Sequence, residues 1–284
     1  MTKLSAVAAL AFSAAAGGAA AQMPATNPMP DGSRDMYVGL GLVSGPRYQG
    51  AQGSERAALP VLQVQWSNGA FVSGMRAGIH LSRTPQVEFG PLLELQPRRD
   101  REGTGGEFDG VGTMRLNLVA MPLAASGGDR LAGMPVIHRR VQGGGFLNYY
   151  LTPDWRFTGS LLYGAGNARN GSKLELGVQR LAIAVAPHHR LAFDAGVTVA
   201  DRRYNMAFFG VGESDSFASG NPVFAAGGGL KDARLGVRWH WAWSPAWMLT
   251  SQVQATRLLG SARQSPLVER PTNLAVSTAI AYRF

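Results

Sequence analysis

Two places in this sequence set side chains of catalytic type close together. His80-Leu81-Ser82 puts an imidazole and a hydroxyl two residues apart, so on an extended strand both lie on one face, as the base and nucleophile of some lipid hydrolases do. Both share parity with Arg76, which belongs on a polar face, away from any lipid a hydrolase would have to reach. The Asn-Gly context of those hydrolases is also missing, so a lining role is expected. His188-His189 follows Pro187, and adjacent residues of a strand point to opposite faces, so the pair cannot share a metal. The triplets Gly143-Gly144-Gly145 and Gly227-Gly228-Gly229 precede no Lys-Ser/Thr pair and read as close packing or strand curvature rather than a phosphate loop. No catalytic residue, metal site or cofactor is expected, and the chain is read as a non-enzyme.

The surrounding elements are strands. Residues 235 to 243 alternate strictly: Leu235, Val237, Trp239, Trp241 and Trp243 on one face, Gly236, Arg238 and His240 on the other. After the turn Ser244-Pro245-Ala246, Trp247, Leu249 and Val253 oppose Thr250, Gln252, Gln254 and Thr256. Alternation suits a soluble sheet or a membrane barrel. The placing of the aromatics separates them, because Trp239, Trp241, Trp243 and Trp247 gather at one end of a hairpin, as in an interfacial girdle. Trp155, after Thr152-Pro153-Asp154, and Trp66, before Ser67-Asn68-Gly69, extend the signal.

The N-terminus agrees. Lys3, an apolar run and Ala19-Ala20-Ala21 have the order of a secretory signal, so residues 1–21 are expected to be removed and 22–35 to form a Pro-rich lead. No later run reaches the roughly 18 apolar residues of a membrane helix. With 37 Gly and 16% charged residues the chain is too apolar for disorder, and with no Cys it has no disulfide or thiolate site. The net charge of +9, from 24 Arg and 3 Lys, is dispersed along the chain, and export argues against nucleic acid as a partner.

The last strand closes the reading. Val276, Ile280, Tyr282 and Phe284 share one face, the pattern by which outer-membrane barrels end, are read by the barrel assembly machinery, and pair last strand to first. Walking back from Phe284 gives strands at 272–284, 247–259, 230–242, 190–202, 173–186, 155–166, 134–151, 111–123, 86–97, 70–80, 58–66 and 36–46. The expected fold is a closed antiparallel transmembrane β-barrel of about twelve strands, with ten the alternative count, spanning 36–284 with both termini periplasmic. Residues 98–110 would then be a long periplasmic connection, and a phase shift within 173–186 predicts a β-bulge.

In such a barrel, parity turns Arg76, Glu88, Glu94, Arg115, Arg156, Glu175, Asp194, Arg202, Arg234, Arg238 and Arg283 inward. An arginine at mid-strand facing lipid would cost about 2–4 kcal/mol. A cation-rich lining could select anions or cross-pair and plug the lumen, and the plugged reading is preferred. Tyr204, Phe208, Phe209 and Phe217 lie in an expected outer loop, where capping the mouth is preferred to contact with a surface partner.

Four stretches carry a family resemblance. They are Gly45 to Gly50 with Tyr48 and the following Leu59-Pro60; Ala200 to Val211 with Asp201, Tyr204, Phe209 and Gly210; Arg257 to Val268 with Ser265 and Pro266; and the ending Tyr282-Arg283-Phe284. On these the chain resembles the MipA/OmpV family of outer-membrane proteins over its mature length. The resemblance implies a non-enzymatic barrel in the cell outer membrane, a scaffold linking a lytic transglycosylase to a peptidoglycan synthase, and in some members an adhesin. A narrow anion-favouring porin is the second expectation and an outer-membrane lipid hydrolase the third.

Overall fold

The computed structural model describes residues 34–82, 84–104, 121–125 and 130–284. The expected signal peptide and all of the expected lead except Arg34 and Asp35 lie outside them. The strands are β1 (Arg34–Pro46), β2 (Ser54–Trp66), β3 (Ala70–Ser73), β4 (Arg76–Ile79), β5 (Val87–Gln96), β6 (Met121–Ala125), β7 (Arg140–Thr152), β8 (Trp155–Ala165), β9 (Gly171–Ala186), β10 (His189–Ala200), β11 (Gly229–Ala242), β12 (Trp247–Leu258) and β13 (Thr272–Arg283). Three short helices interrupt them at the loop end: α1 (Arg202–Phe209), α2 (Glu213–Ser219) and α3 (Gly260–Arg263). None of the described helices is long and apolar enough to cross a membrane.

Every ladder is antiparallel, and the order β1-β13-β12-β11-β10-β9-β8-β7-β5-β4-β3-β2 returns to β1 through the β1–β2 pairing. The result is a closed ring of twelve strands, with β6 paired to Glu55 to Ala58 of β2 on the edge that carries β3 at Gln63 to Gln65. Because the first strand pairs with the last, the ring itself ends on no free edge, the condition for standing in hydrocarbon. The seam joins Tyr37 to Arg283, and the Phe284 amide donates to the Met36 carbonyl at 3.0 Å.

The number twelve holds, but its membership differs from the expected one. Residues 70–80, expected as one strand, are the hairpin β3–β4, turned at Gly74 with φ 64°. Gly74-Met75 is a two-residue connection in which glycine takes the positive φ that hairpin twist demands. The expected strand at 111–123 contributes no ring strand among the described residues: 105–120 lie outside them, and Met121–Ala125 pairs with β2. Because β5 pairs directly with β7, Val87 opposite Tyr149 and Gln96 opposite Arg140, it runs opposite to the expected direction. The connection after it therefore leaves at the end of the long loops, not at the end of the short turns. Arg47 Nε donates to the Glu102 carbonyl at 2.8 Å and Thr104 N to the Arg47 carbonyl at 2.7 Å, fixing 98–104 there. The expected strand at 134–151 begins only at Arg140, and β1 reaches back to Arg34.

The two faces of each strand meet different surroundings. On β1, Val38, Leu40 and Leu42 are exposed while Tyr37 and Val43 are buried; on β13, Val276 and Ile280 are exposed while Ala279 and Ala281 are buried. Tyr37, Val61, Met248, Ala279 and Ala281 pack inside the barrel near the seam. The apolar surface thus points outward, the inverse of a soluble sandwich. In β9 the register slips opposite Leu191 to Phe193, with Ala182 at φ 26°, which is the bulge that the phase shift predicts.

Candidate functional site

Four tight connections, at 67–69, 153–154, 187–188 and 243–246, share one end of the barrel with Arg34 and Phe284. Outside this end runs a strip of rings. His189 stacks on Trp239 and Trp241 at 5.6 and 5.4 Å, Trp241 meets Trp243 at 5.4 Å, Trp243 meets Trp247 at 6.3 Å, and Tyr282 links Trp247 to Phe284 at 5.1 and 4.8 Å. Trp155 lies under the Arg180 guanidinium at 5.7 Å, and Trp66 is exposed at the foot of β2. Of the closing-strand residues, Ile280 and Phe284 are exposed on this outer face.

The interior is held by charges from non-adjacent strands. Lys173 Nζ on β9 bridges Glu94 on β5 at 2.6 Å and Glu175 at 2.7 Å, while Arg76 on β4 reaches Glu94 at 2.6 Å and Glu175 at 2.7 Å. Since β7 and β8 separate β5 from β9 in the wall, these bonds cut across the lumen between strands three steps apart in the ring. The two cations and two carboxylates close a neutral square, and Ser160 Oγ adds a bond to Glu175. Nearer the turns, Glu88 accepts from Tyr150 Oη at 2.7 Å and Asn148 Nδ2 at 2.9 Å, and Arg156 joins Tyr150 Oη and Gln179. Further round the ring, on β10 to β13 and β1, Arg238 holds Gln252, Arg234 contacts Thr198, Asp194 lies against Gly236, and Arg283 pairs with Asp35 at 2.8 Å.

One of the expected lumen residues stands elsewhere. Arg202 is exposed on α1, because β10 stops at Ala200 and Asp201 starts a helix; Arg115 lies outside the described residues. Lys173, the centre of the square, is absent from the expected set. Its parity with Glu175 on one strand could have flagged it.

The loop end is closed by the stretches that carry the family resemblance. Asp201 caps α1: its carboxylate accepts from Tyr204 N at 2.7 Å and Ser172 Oγ at 2.8 Å. Partial burial pushes that carboxyl up, but the Tyr204 amide and Ser172 hydroxyl outweigh it and hold it below its ordinary value. Gly210 ends the helix by donating to the Met206 carbonyl. Tyr204 stacks on Phe208 at 4.6 Å, and Phe209 packs with Ala226, Leu258 and Ala262. Ser265, just before Pro266, donates from Oγ to the Phe209 carbonyl at 2.6 Å; Tyr48 Oη donates to the Leu267 carbonyl at 3.0 Å. Gly50 accepts from Glu269 N and Arg270 N at 2.9 Å with φ 96°, and a β-carbon there would come within 2.8 Å of Val268. Tyr204, Phe208 and Phe209 thus turn inward as the capping reading expects, while Phe217 on α2 is 96% exposed.

Beneath this cap lies a cavity of about 190 Å³, walled by Tyr48, Phe208 and Phe209 from the loops and by Gln142, Lys173 and Gln254 from the barrel. Arg99 enters it from the 98–104 segment, donating to the Phe208 carbonyl with its guanidinium 5.9 Å from the Phe208 ring. Burial lowers its pKa to about 10.

His80 and Ser82 are not joined by a hydrogen bond. The imidazole sits between Phe71 and Phe146 at 4.6 and 5.1 Å, and neither its Nδ1 nor Ser82 Oγ has a partner among the described residues. His188 occupies the turn with φ 65°, and His189 stacks on the outer tryptophans, so the two diverge. Among the described residues no three His, Cys, Asp or Glu side chains group as a metal site.

A closed antiparallel ring with an apolar exterior, an aromatic strip at one end and charges cross-bridged inside is a transmembrane β-barrel. Residues 38–284 match the family model described as MltA-interacting protein MipA, and the chain belongs to the MipA family. No curated protein matches it by sequence. Among solved structures it is similar to the KdgM porin, at 10% identity and TM-score 0.37, over 89% of this chain and 99% of the porin. It is also similar to the Pseudomonas putida toluene transporter TodX, at 10% identity and TM-score 0.37 over 92% of each chain. The Acinetobacter baumannii outer membrane channel DcaP follows, at 6% identity and TM-score 0.35 over 89% of this chain and 96% of the channel.

Proposed function

We propose that this protein is a closed outer-membrane anchor that presents a rigid platform to cell-wall enzymes and does not conduct. The observation that carries the reading is the square of Lys173, Arg76, Glu94 and Glu175 cutting across part of the lumen beneath a bonded loop cap. Desolvated charge pairs held by several short bonds open only at a cost of several kcal/mol, which suits a plug better than a pore. The signal at 1–21 delivers the chain, the assembly machinery reads the strand ending on Phe284, and the aromatic strip marks the periplasmic interface. The family description names an MltA interaction, and the platform's partners are accordingly a lytic transglycosylase and, through it, a peptidoglycan synthase.

Planar-bilayer recording of the folded barrel is expected to give no stable unitary currents. Steady anion-selective steps would replace this reading with that of a narrow anion-favouring porin. Capture of envelope proteins on the intact barrel is expected to enrich a lytic transglycosylase, and its absence from the captured set would remove the scaffold. Phospholipid hydrolysis lost in Ser82→Ala would overturn the non-enzymatic reading.

A further inference from the structure

Arg99 is the unusual residue of the cap. It is 6% exposed, yet among the described residues no carboxylate pairs with it. The titratable groups that act on it are the hydroxyls of Tyr48 and Tyr204, and its side-chain bond goes to a peptide carbonyl. A buried guanidinium with only neutral partners keeps much of its desolvation cost. The cations below it cannot share a counter-charge, because Lys173 and Arg76 are already matched by Glu94 and Glu175.

A second polar group in the same cavity is also unfilled. Gln142, on β7, is 2% exposed and lines the cavity, and its Oε1 has no hydrogen-bond partner among the described residues. A buried amide without a partner costs about 1–3 kcal/mol. The lining therefore offers a cation and an amide, and Tyr48, Phe208 and Phe209 supply flat apolar surface to the same cavity. At about 190 Å³ the space is below the ~300–1,000 Å³ of drug-sized pockets, which limits the occupant to a small molecule.

We propose that this cavity is a binding site for a small hydroxylated organic carboxylate, its acid group held by Arg99, its hydroxyl by Gln142 and its ring or carbon frame by the aromatic wall. The proposal goes beyond the platform reading and stands whether or not the barrel binds a cell-wall enzyme.

The test uses the full-length barrel in detergent, its fold checked by faster gel migration unheated than boiled. Calorimetric titrations compare 4-hydroxybenzoate, 4-hydroxybenzamide and inorganic phosphate. Saturable binding of the benzoate is expected, with the benzamide and phosphate each weaker by about tenfold or more, since charge-assisted pairs in a desolvated site are the strong ones. Arg99→Gln is expected to lose at least about tenfold in benzoate affinity and Gln142→Leu a few-fold, while Arg263→Gln, on an exposed residue, changes nothing. Absence of saturable heat, equal affinity for acid and amide, phosphate binding as tightly as the benzoate, or unchanged affinity in folded Arg99→Gln would each overturn the proposal. If Arg99→Gln does not fold, the acid-over-amide preference of the unaltered barrel and the loss in Gln142→Leu decide it.

Discussion

The two ends of this barrel are stabilised by different physics. At the turn end the connections are tight hairpins, and the visible order is a strip of rings from His189 to Phe284 facing outward. At the loop end, three helices and the 98–104 segment fold over the lumen, tied by bonds between residues far apart in sequence, such as Tyr48 to Leu267 and Ser265 to Phe209. Surface rings gain from lipid and from one another in small, separable amounts. Buried polar bonds are coupled, because breaking one leaves its partner unsatisfied. The turn end should therefore tolerate substitution, while the loop end should fail cooperatively.

The largest effect is expected below the cap. Lys173→Met leaves Glu94 and Glu175 facing each other with only Arg76 between them, and should cost about 3–5 kcal/mol in urea unfolding from lipid vesicles. A loss under 1 kcal/mol would mean that the square does not brace the lumen. Next, Gly50→Ala introduces a β-carbon at φ 96° against Val268, and should cost about 1–3 kcal/mol and speed proteolysis of the loops. Asp201→Ala removes the α1 cap, and about 0.5–2 kcal/mol of stability should go with it, read as faster amide exchange at Tyr204.

The turn end supplies the smaller effects. Trp243→Ala, which breaks the strip between Trp241 and Trp247, should cost about 0.5–1.5 kcal/mol and leave loop proteolysis unchanged. A larger loss than for Gly50→Ala would reverse the comparison. Acid should separate the ends as well. The folded pKa of Asp201 is lowered, so its contribution is full above the unfolded value of about 3.9 and fades as pH falls through the folded one. Cap proteolysis should then be flat from pH 8 to 5 and rise only below about 4, an onset that Asp201→Asn removes.

How far each end was legible follows from the same difference. Parity along β11, β12 and β13 told inside from outside, because each residue's side is set by a period of two that needs no partner. The tryptophan turns and the seam at Phe284 followed from it. The hairpin at Gly74 was missed because β3 and β4 are only four residues each, too short for alternation to distinguish two strands from one. The reversal of β5 has another source, the strand expected at 111–123, which is no ring strand between β5 and β7; it sent the 98–104 segment to the wrong end and hid Arg99.

The sequence by itself determined that this chain is a membrane barrel with an apolar outside, a charged inside and an aromatic border, because those are properties of single strands. It also singled out the motif stretches around Tyr48, Asp201 and Ser265. Only the tertiary structure decided that these stretches meet as one cap, that Lys173 and Arg76 neutralise Glu94 and Glu175 across the lumen, and that Arg99 and Gln142 face one cavity. Those pairings join residues tens of positions apart, and their geometry is set by ring closure and strand stagger, which no local period encodes.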